Sequence, residues 1–304
     1  MNGFLLVDKP LGISSFGAIQ QLNRQFLIQK SSKKIGHGGT LDPCASGLLV
    51  VAIGKATRFL RYFLGSDKQY EATVKFGIRT SSDDLEGEII AEAPWDHISR
   101  SDIEQALPQF LGTILQVPPD YSAIHVDGER AYDLARQGQK VEIPPREVRI
   151  DRLEILECQF PDNPILKLSV ECSGGTYIRS LARDLGHALQ SEACLTGLRR
   201  TKACHFDIAQ SFTLEYLMMQ KDISPYLHSC EEAMSFFPSI QVDYNKSYRL
   251  LSGLPVNLNI SADGIYTILY RDLFIAVLER KDGHNDYLRL FSLLEFKQIT
   301  SSEA

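Results

Sequence analysis

The sequence predicts an α+β chain in two parts, and three observations carry that reading. Strand-like and helix-like segments alternate without an internal repeat. At 304 residues the chain has room for two domains. Past about residue 236 the texture shifts to short strand-like runs. The expected division is a larger domain over 1–236 and a small β-rich C-terminal domain over 237–304.

The elements follow in order. Phe4–Val7 is an apolar run that reads as a buried strand, closed by Lys9-Pro10-Leu11-Gly12. Ser14 or Ser15 can cap a helix running to about Gln29, with Ile19, Leu22 and Leu27 on its apolar face. Leu48–Ile53 reads as a buried strand, Lys55–Leu64 as a basic amphipathic helix and Tyr70–Ile78 as an alternating strand. Thr80–Glu92 is acidic and polar and reads as a loop. Ser101–Leu111 and Arg130–Gln137 read as helices stopped by Gly112 and Gly138. Val148–Cys158 and Ile165–Cys172 read as paired strands joined by Pro161-Asp162-Asn163-Pro164, and helical spacing returns over Tyr177–Leu189. In the C-terminal part a short helix near Tyr248 precedes strands at Gly264–Tyr270, Leu273–Glu279 and Asp286–Phe291.

Composition narrows the function classes. No run of 18 apolar residues appears, and the N-terminus lacks the basic flank of a signal peptide, so a cytoplasmic protein is expected. Six cysteines without a C-x-x-C pair read as reduced thiols. Cys204-His205 has no second close pair to complete a metal site, so no metal is expected. The net charge of −6 hides an asymmetry. Residues 1–64 carry eight basic side chains against Asp8 and Asp42, whereas residues 80–166 carry seven basic against eighteen acidic. A polyanionic partner responds to the local field, so the first segment is compatible with RNA, although charge runs are more often solvated faces.

The most informative stretch is Gly36–Leu49. Four glycines allow tight turns and close backbone approach. Asp42 is the one carboxylate among them, and Pro43 holds it extended. In a basic field such a carboxylate stays ionised and available as a nucleophile. An Asx-turn at Asp-Pro is the competing reading, and the residues alone leave both open. Cys44 invites a cysteine-nucleophile reading, but no Cys–His pairing at recognisable spacing supports it.

This stretch fits every fixed position of G-H-x-G-x-L-D-P-x-A-x-G-x-L and resembles the catalytic motif of the TruB-type tRNA pseudouridine synthases. Other segments agree: Val7–Ser15 with V-D-K-P-x-G-x-[ST]-S, Asp67–Tyr70 with D-K-x-Y, and Pro118–Ala123 with P-P-x-[YF]-S-A. Arg130–Gly138 follows at the family's distance, Cys172–Arg179 fits C-x-x-G-T-Y-I-R, and Leu198-Arg199-Arg200 fits L-R-R. The resemblance covers residues 4 to 215. Gly38-Gly39-Thr40 is more flexible than many family versions, and Cys44 is an unusual neighbour for Asp42.

What the resemblance implies is specific. The fold would be a pseudouridine synthase fold with a mixed, mostly antiparallel central sheet, followed by a PUA-like RNA-binding domain. Asp42 would be the nucleophile, Arg179 its ion-pair partner, and Tyr70 the aromatic that stacks on the flipped uracil and can relay the C5 proton. Tyr177 would line the pocket and Leu198 pack beside the base. His37, expected to be exposed, would fill space left in the RNA loop. Lys9 and Pro10 would support the site without taking part in it. Lys33, Lys34, Lys55, Arg58, Arg61, Arg199, Arg200 and Lys202 are candidates for phosphate contact. The implied partner is the T-stem-loop of tRNA. The implied enzyme is a monomer isomerising the uridine at position 55 with no cofactor, guide RNA or membrane. The alternative is a tRNA-folding chaperone whose RNA binding matters more than modification. A guide-RNA-dependent synthase and a nucleoside hydrolase stand further off.

Overall fold

A computed structural model of the chain describes residues 2–28, 33–121, 125–126, 129–130 and 143–301. The expected helix Arg130–Gln137 and the Ser122-Ala123 end of the P-P-x-Y-S-A segment lie outside the described residues, except that Arg130 belongs to a two-residue strand.

The strands are β1 (Gly3–Lys9), β2 (Ile35–His37), β3 (Ala45–Ile53), β4 (Lys68–Phe76), β5 (Ile78–Thr80), β6 (Ile89–Glu92), β7 (Gly112–Gln116), β8 (His125–Val126), β9 (Glu129–Arg130), β10 (Arg146–Cys158), β11 (Ile165–Cys172), β12 (Ala193–Ala203), β13 (Phe206–Asp207), β14 (Phe212–Thr213), β15 (Leu227–His228), β16 (Ser239–Gln241), β17 (Gly264–Tyr270), β18 (Leu273–Lys281) and β19 (His284–Arg289). The helices are α1 (Ser15–Phe26), α2 (Leu60–Leu64), α3 (Arg100–Ala106), α4 (Ile178–Ala188), α5 (Leu214–Met218), α6 (Cys230–Ala233), α7 (Tyr244–Leu251) and α8 (Leu293–Ser301).

The central sheet runs β14-β1-β3-β12-β4-β11-β10-β7. Its pairs are antiparallel except β1 with β14 and β3 with β12. The mixed, mostly antiparallel sheet is therefore as expected. Local chemistry sets its boundaries. Ser14 caps α1 by accepting from the Gly17 amide at 3.0 Å, and Leu27 ends it in the left-handed region. The stretch expected as one helix over Lys55–Leu64 divides into a 3-10 turn at Gly54–Phe59 and the short α2. Residues 80–92 are also more structured than a loop: β5 and β6 form a hairpin that buries Ser82, Asp83 and Asp84.

The apolar residues of α4, Ile178, Leu181, Ala182 and Leu185, pack with β4, β10 and β11 in one core. Alpha-helix α1 covers one face of β1 and β3. The other face carries Phe4, Leu6, Phe59 and Phe63, and this layer continues into Leu269, Phe274 and Val277 of the C-terminal sheet β16-β17-β18-β19 and Leu290 just after it. The β-rich C-terminal part is thus packed onto the larger one through shared core.

Candidate active site

The site sits where β3, β12 and β4 lie side by side. The polypeptide enters β3 through Gly38–Cys44, a segment with few side chains able to hold it in place. Distant groups do so instead. The buried Ser15 hydroxyl accepts from the Leu41 amide at 2.7 Å and donates to the Leu41 carbonyl at 2.9 Å. The Gly12 amide donates to the Pro43 carbonyl at 2.8 Å. Arg200 is buried, and its guanidinium donates to the carbonyls of Leu48 at 2.7 Å, Gly39 at 3.0 Å and Thr40 at 3.4 Å. Gly47 lets β3 come this close to β12. Its φ is +104°, and a Cβ there would lie 2.3 Å from the Arg200 carbonyl oxygen.

Asp42 projects from this segment into a cavity of ≈ 310 Å³. Leu41, Tyr70, Tyr177, Ile178, Arg179 and Leu198 are among its walls. Arg179 is the second residue of α4, and its Nη2 stands 3.1 Å from the Asp42 carboxylate. The Asp42 side chain is 39% exposed, against 9% for Arg179. The geometry is a carboxylate open to the cavity and steered from below by a buried cation.

Arg179 is itself fixed on three further sides. Nη1 donates to the Ser82 carbonyl at 3.0 Å and Nη2 to the Tyr121 carbonyl at 3.0 Å. Nη1 also lies 3.3 Å from the Asp84 carboxylate, which is 4% exposed and accepts from the Ser82 hydroxyl and the Glu86 amide. One helical turn on, Arg183 pairs with Asp83 at 2.8 Å. Sequence reasoning missed Asp83 and Asp84 by reading their segment as a solvated loop. The partial signal is that Arg179 and Arg183, four apart, share one face of the helix, and Asp84 and Asp83 meet them there.

Tyr70 is buried on β4, in register with Arg200 of β12. Burial raises its phenol above the ordinary range, with Arg200 opposing in part. Leu198 pairs with Ala45 and Ala72 across the two neighbouring strands. Tyr177 precedes α4, and its backbone exchanges two hydrogen bonds with the buried Gln116 side chain, at 2.8 and 3.1 Å. Lys68, also missed, lines the cavity and donates to the carbonyls of Phe63 and Leu64 at 2.6 and 2.9 Å. Burial, assisted by the charge of Arg200, lowers its pKa to about 8. Lys9 is fully buried and holds the carbonyls of Pro10 and Ile13, in keeping with a supporting part.

Cys44 is half-buried, and burial, with Asp84 and Asp42 nearby, pushes its thiol up to about 12. That suppresses the thiolate a cysteine nucleophile needs.

Some expected residues lie elsewhere. His37 is half-buried in β2 instead of exposed, opposite Val51, and does not line the cavity. Burial and then Arg200 lower its pKa, which keeps the ring neutral. Among the phosphate-contact candidates, Arg200 is enclosed by backbone carbonyls and presents no surface charge. Lys55 pairs with Glu295, Arg61 with Glu279 at 2.8 Å, and Arg58 donates to the Arg289 carbonyl at 2.9 Å, all three reaching the C-terminal part. Arg199 forms a two-pronged pair with Asp8 at 3.1 and 2.7 Å. Lys202 is half-exposed with Asp207 at 4.0 Å. Lys33 and Lys34 make no ion pair among the described residues.

Comparison with known proteins gives a consistent result. The chain matches the family model of the TruB family pseudouridylate synthase N-terminal domain over residues 24–178, and that of the tRNA pseudouridylate synthase B C-terminal domain over residues 179–234. It is 38% identical to tRNA pseudouridine synthase B of Trichormus variabilis over 286 residues, 93% of this chain and 96% of that one. It is 47% identical to tRNA pseudouridine synthase B of Acaryochloris marina over 220 residues, 72% of this chain and 74% of that one. Among solved structures, a chain of a Cbf5-Nop10-Gar1 complex superposes with a TM-score of 0.71 at 23% identity, covering 96% of this chain and 85% of that one, a likeness of fold. The chain belongs to the TruB family of pseudouridylate synthases.

Proposed function

We propose that this chain is a tRNA pseudouridine synthase that isomerises the uridine at position 55 of the T-loop. The observation that carries the reading is the Asp42 carboxylate, open to the cavity and held at 3.1 Å by buried Arg179. The substrate's bonds say what is needed. The bond from C1′ to N1 breaks, the uracil turns while held, C1′ bonds to C5, and the C5 proton leaves as N1 regains one. Oxidation state is unchanged and no group is added, so the chemistry calls for no redox cofactor and no donor.

Asp42 serves as the nucleophile, and Arg179 fixes the direction of its oxygens. A uridine stacked within an RNA loop must first be flipped out. Tyr70 then stacks on the uracil face, and its phenol relays the C5 proton by accepting it as its own hydroxyl proton passes to solvent. Leu198 and Tyr177 limit the base's movement while it turns. His37, neutral and at the end of β2, occupies space vacated in the RNA loop. Lys33 and Lys34 contact phosphates, and residues 237–304 act as a PUA-like RNA-binding domain. The enzyme works as a cytoplasmic monomer without guide RNA.

The test is site-resolved pseudouridine mapping of an unmodified tRNA transcript incubated with wild-type protein or Asp42→Asn. The expected result is one wild-type signal, at the T-loop uridine, absent in the variant. Wild-type protein that binds the transcript tightly and leaves no signal would overturn the reading in favour of an RNA chaperone.

A further inference from the structure

Arg146 opens β10, in register with Gln116 at the end of β7. Gln116 is the side chain that fixes the backbone of Tyr177. The Arg146 guanidinium lies over the Tyr177 ring, 5.1 Å from its centroid. A Cβ on Gly175 would meet Arg146 Nη1 at 3.9 Å. Gly175 and Tyr177 both line the cavity, so this cation lies beside two of its wall residues without lining it itself.

Its bonding state sets it apart from the other arginines around the site. Arg179, Arg183 and Arg199 each have a carboxylate, and Arg200 has three carbonyls. Arg146 has no hydrogen bond or ion pair among the described residues, and its Nη2 is buried without an acceptor. A charged donor left unmet in such a place is costly, and a ligand that supplies the acceptor removes the cost. The Tyr177 face holds the guanidinium plane in advance, so little rotamer freedom is lost when a ligand arrives.

We infer that Arg146 is a phosphate-binding residue that grips a phosphodiester flanking the flipped nucleotide. This rests on the synthase reading of the same cavity. The neutral uracil goes inward to Asp42, Tyr70 and Leu198, so the charged part of the nucleotide is left at the rim. A guanidinium fork matches two phosphate oxygens, whereas a neutral base edge would leave the charge uncompensated. Gripping the phosphate from Tyr177 also ties the backbone of the flipped nucleotide to the wall that confines its base.

The experiment is single-turnover pseudouridine formation on a T-stem-loop RNA with a neutral methylphosphonate placed 5′ or 3′ of the target, one at a time. Wild-type protein, Arg146→Gln and Arg146→Lys are compared, with thermal melting to verify folding. One methylphosphonate should slow the wild type by about 10- to 100-fold. Arg146→Gln should lose a similar factor on the all-phosphate RNA and little more on the neutral one. Arg146→Lys, which keeps the charge but not the fork, should fall between them and remain sensitive to the methylphosphonate. Losses that simply multiply would make Arg146 a prop for Tyr177 and overturn the inference. So would a wild type indifferent to both methylphosphonates, a result that stands even if the Gln variant fails to fold. Absence of wild-type product on unmodified RNA would instead count against the synthase reading itself.

Discussion

Residues 54–64 are basic and residues 80–92 are acidic, yet it is the acidic segment that supplies a charged partner to the cavity wall, behind Arg179. Asp84 lies 3.3 Å from Arg179, the partner of Asp42. The cations of the basic segment are bound instead to the C-terminal part, through Glu295, Glu279 and the Arg289 carbonyl. Net charge of a segment predicts the field it adds at long range, but burial decides what each side chain does. A carboxylate taken out of water must find a cation, and a helix with Arg179 and Arg183 one turn apart gives Asp84 and Asp83 a reason to be buried.

The contrast can be broken or sharpened by mutation. The largest effect is expected for Asp84→Asn. Removing one member of a buried pair leaves Arg179 without its deepest counter-charge, and small misplacements at a reacting centre cost about 100-fold in rate. Single-turnover kinetics should show that loss while RNA affinity holds; an unchanged rate would reduce Asp84 to packing. Phe59→Ala comes next. Phe59 is fully buried and meets Phe274 edge-to-face, with ring centroids 5.4 Å apart. Its truncation should cost about 3–5 kcal/mol in denaturant unfolding, locating the strength of the junction in its apolar layer.

A third test separates RNA contact from docking. Removing Lys33 and Lys34 together should flatten the salt dependence of tRNA binding by a slope of up to about 2. Arg61→Ala should leave that slope unchanged if its charge belongs to the junction. The smallest effect concerns Lys55 and Glu295. Hydrogen bonding from Lys55, then from Ser292, lowers the Glu295 pKa to about 2. The folded value lies below the unfolded one of about 4.3, so the pair adds stability above pH ~4.3 and loses it as pH falls toward 2. Both side chains are substantially exposed, so Lys55→Ala should change unfolding by only about 0–1 kcal/mol at neutral pH and reduce the acid sensitivity.

Much of the fold was legible where one periodicity dominates. Gly264–Tyr270 was placed to the residue, and Val148–Cys158 pairs with Ile165–Cys172 as expected. The Gly36–Leu49 motif led directly to Asp42, and the later motifs to Tyr70, Arg179 and Leu198, all on the cavity wall. What was not legible depends on long-range partners. Nothing near Arg200 says that it serves carbonyls 152 to 161 residues away, and its neighbour Arg199, of the same type, ends on Asp8. Residues 80–92 are polar by composition, and it takes Arg179 and Arg183 of the opposing helix to pair with Asp84 and Asp83 once they are buried.

The hold of Arg200 on the Gly39 and Thr40 carbonyls also sets an order of events in time. During synthesis the segment bearing Asp42 is made about 160 residues before the side chain that shapes it. At roughly 5–20 residues per second that is a delay of some ~8–30 s. Through that interval the carboxylate exists without a fixed direction, and β12 has yet to slide in beside β3. Non-local closures of this kind are slow to form. A nascent or half-folded copy can therefore carry the Asp42 carboxylate and still lack the arrangement of the finished site.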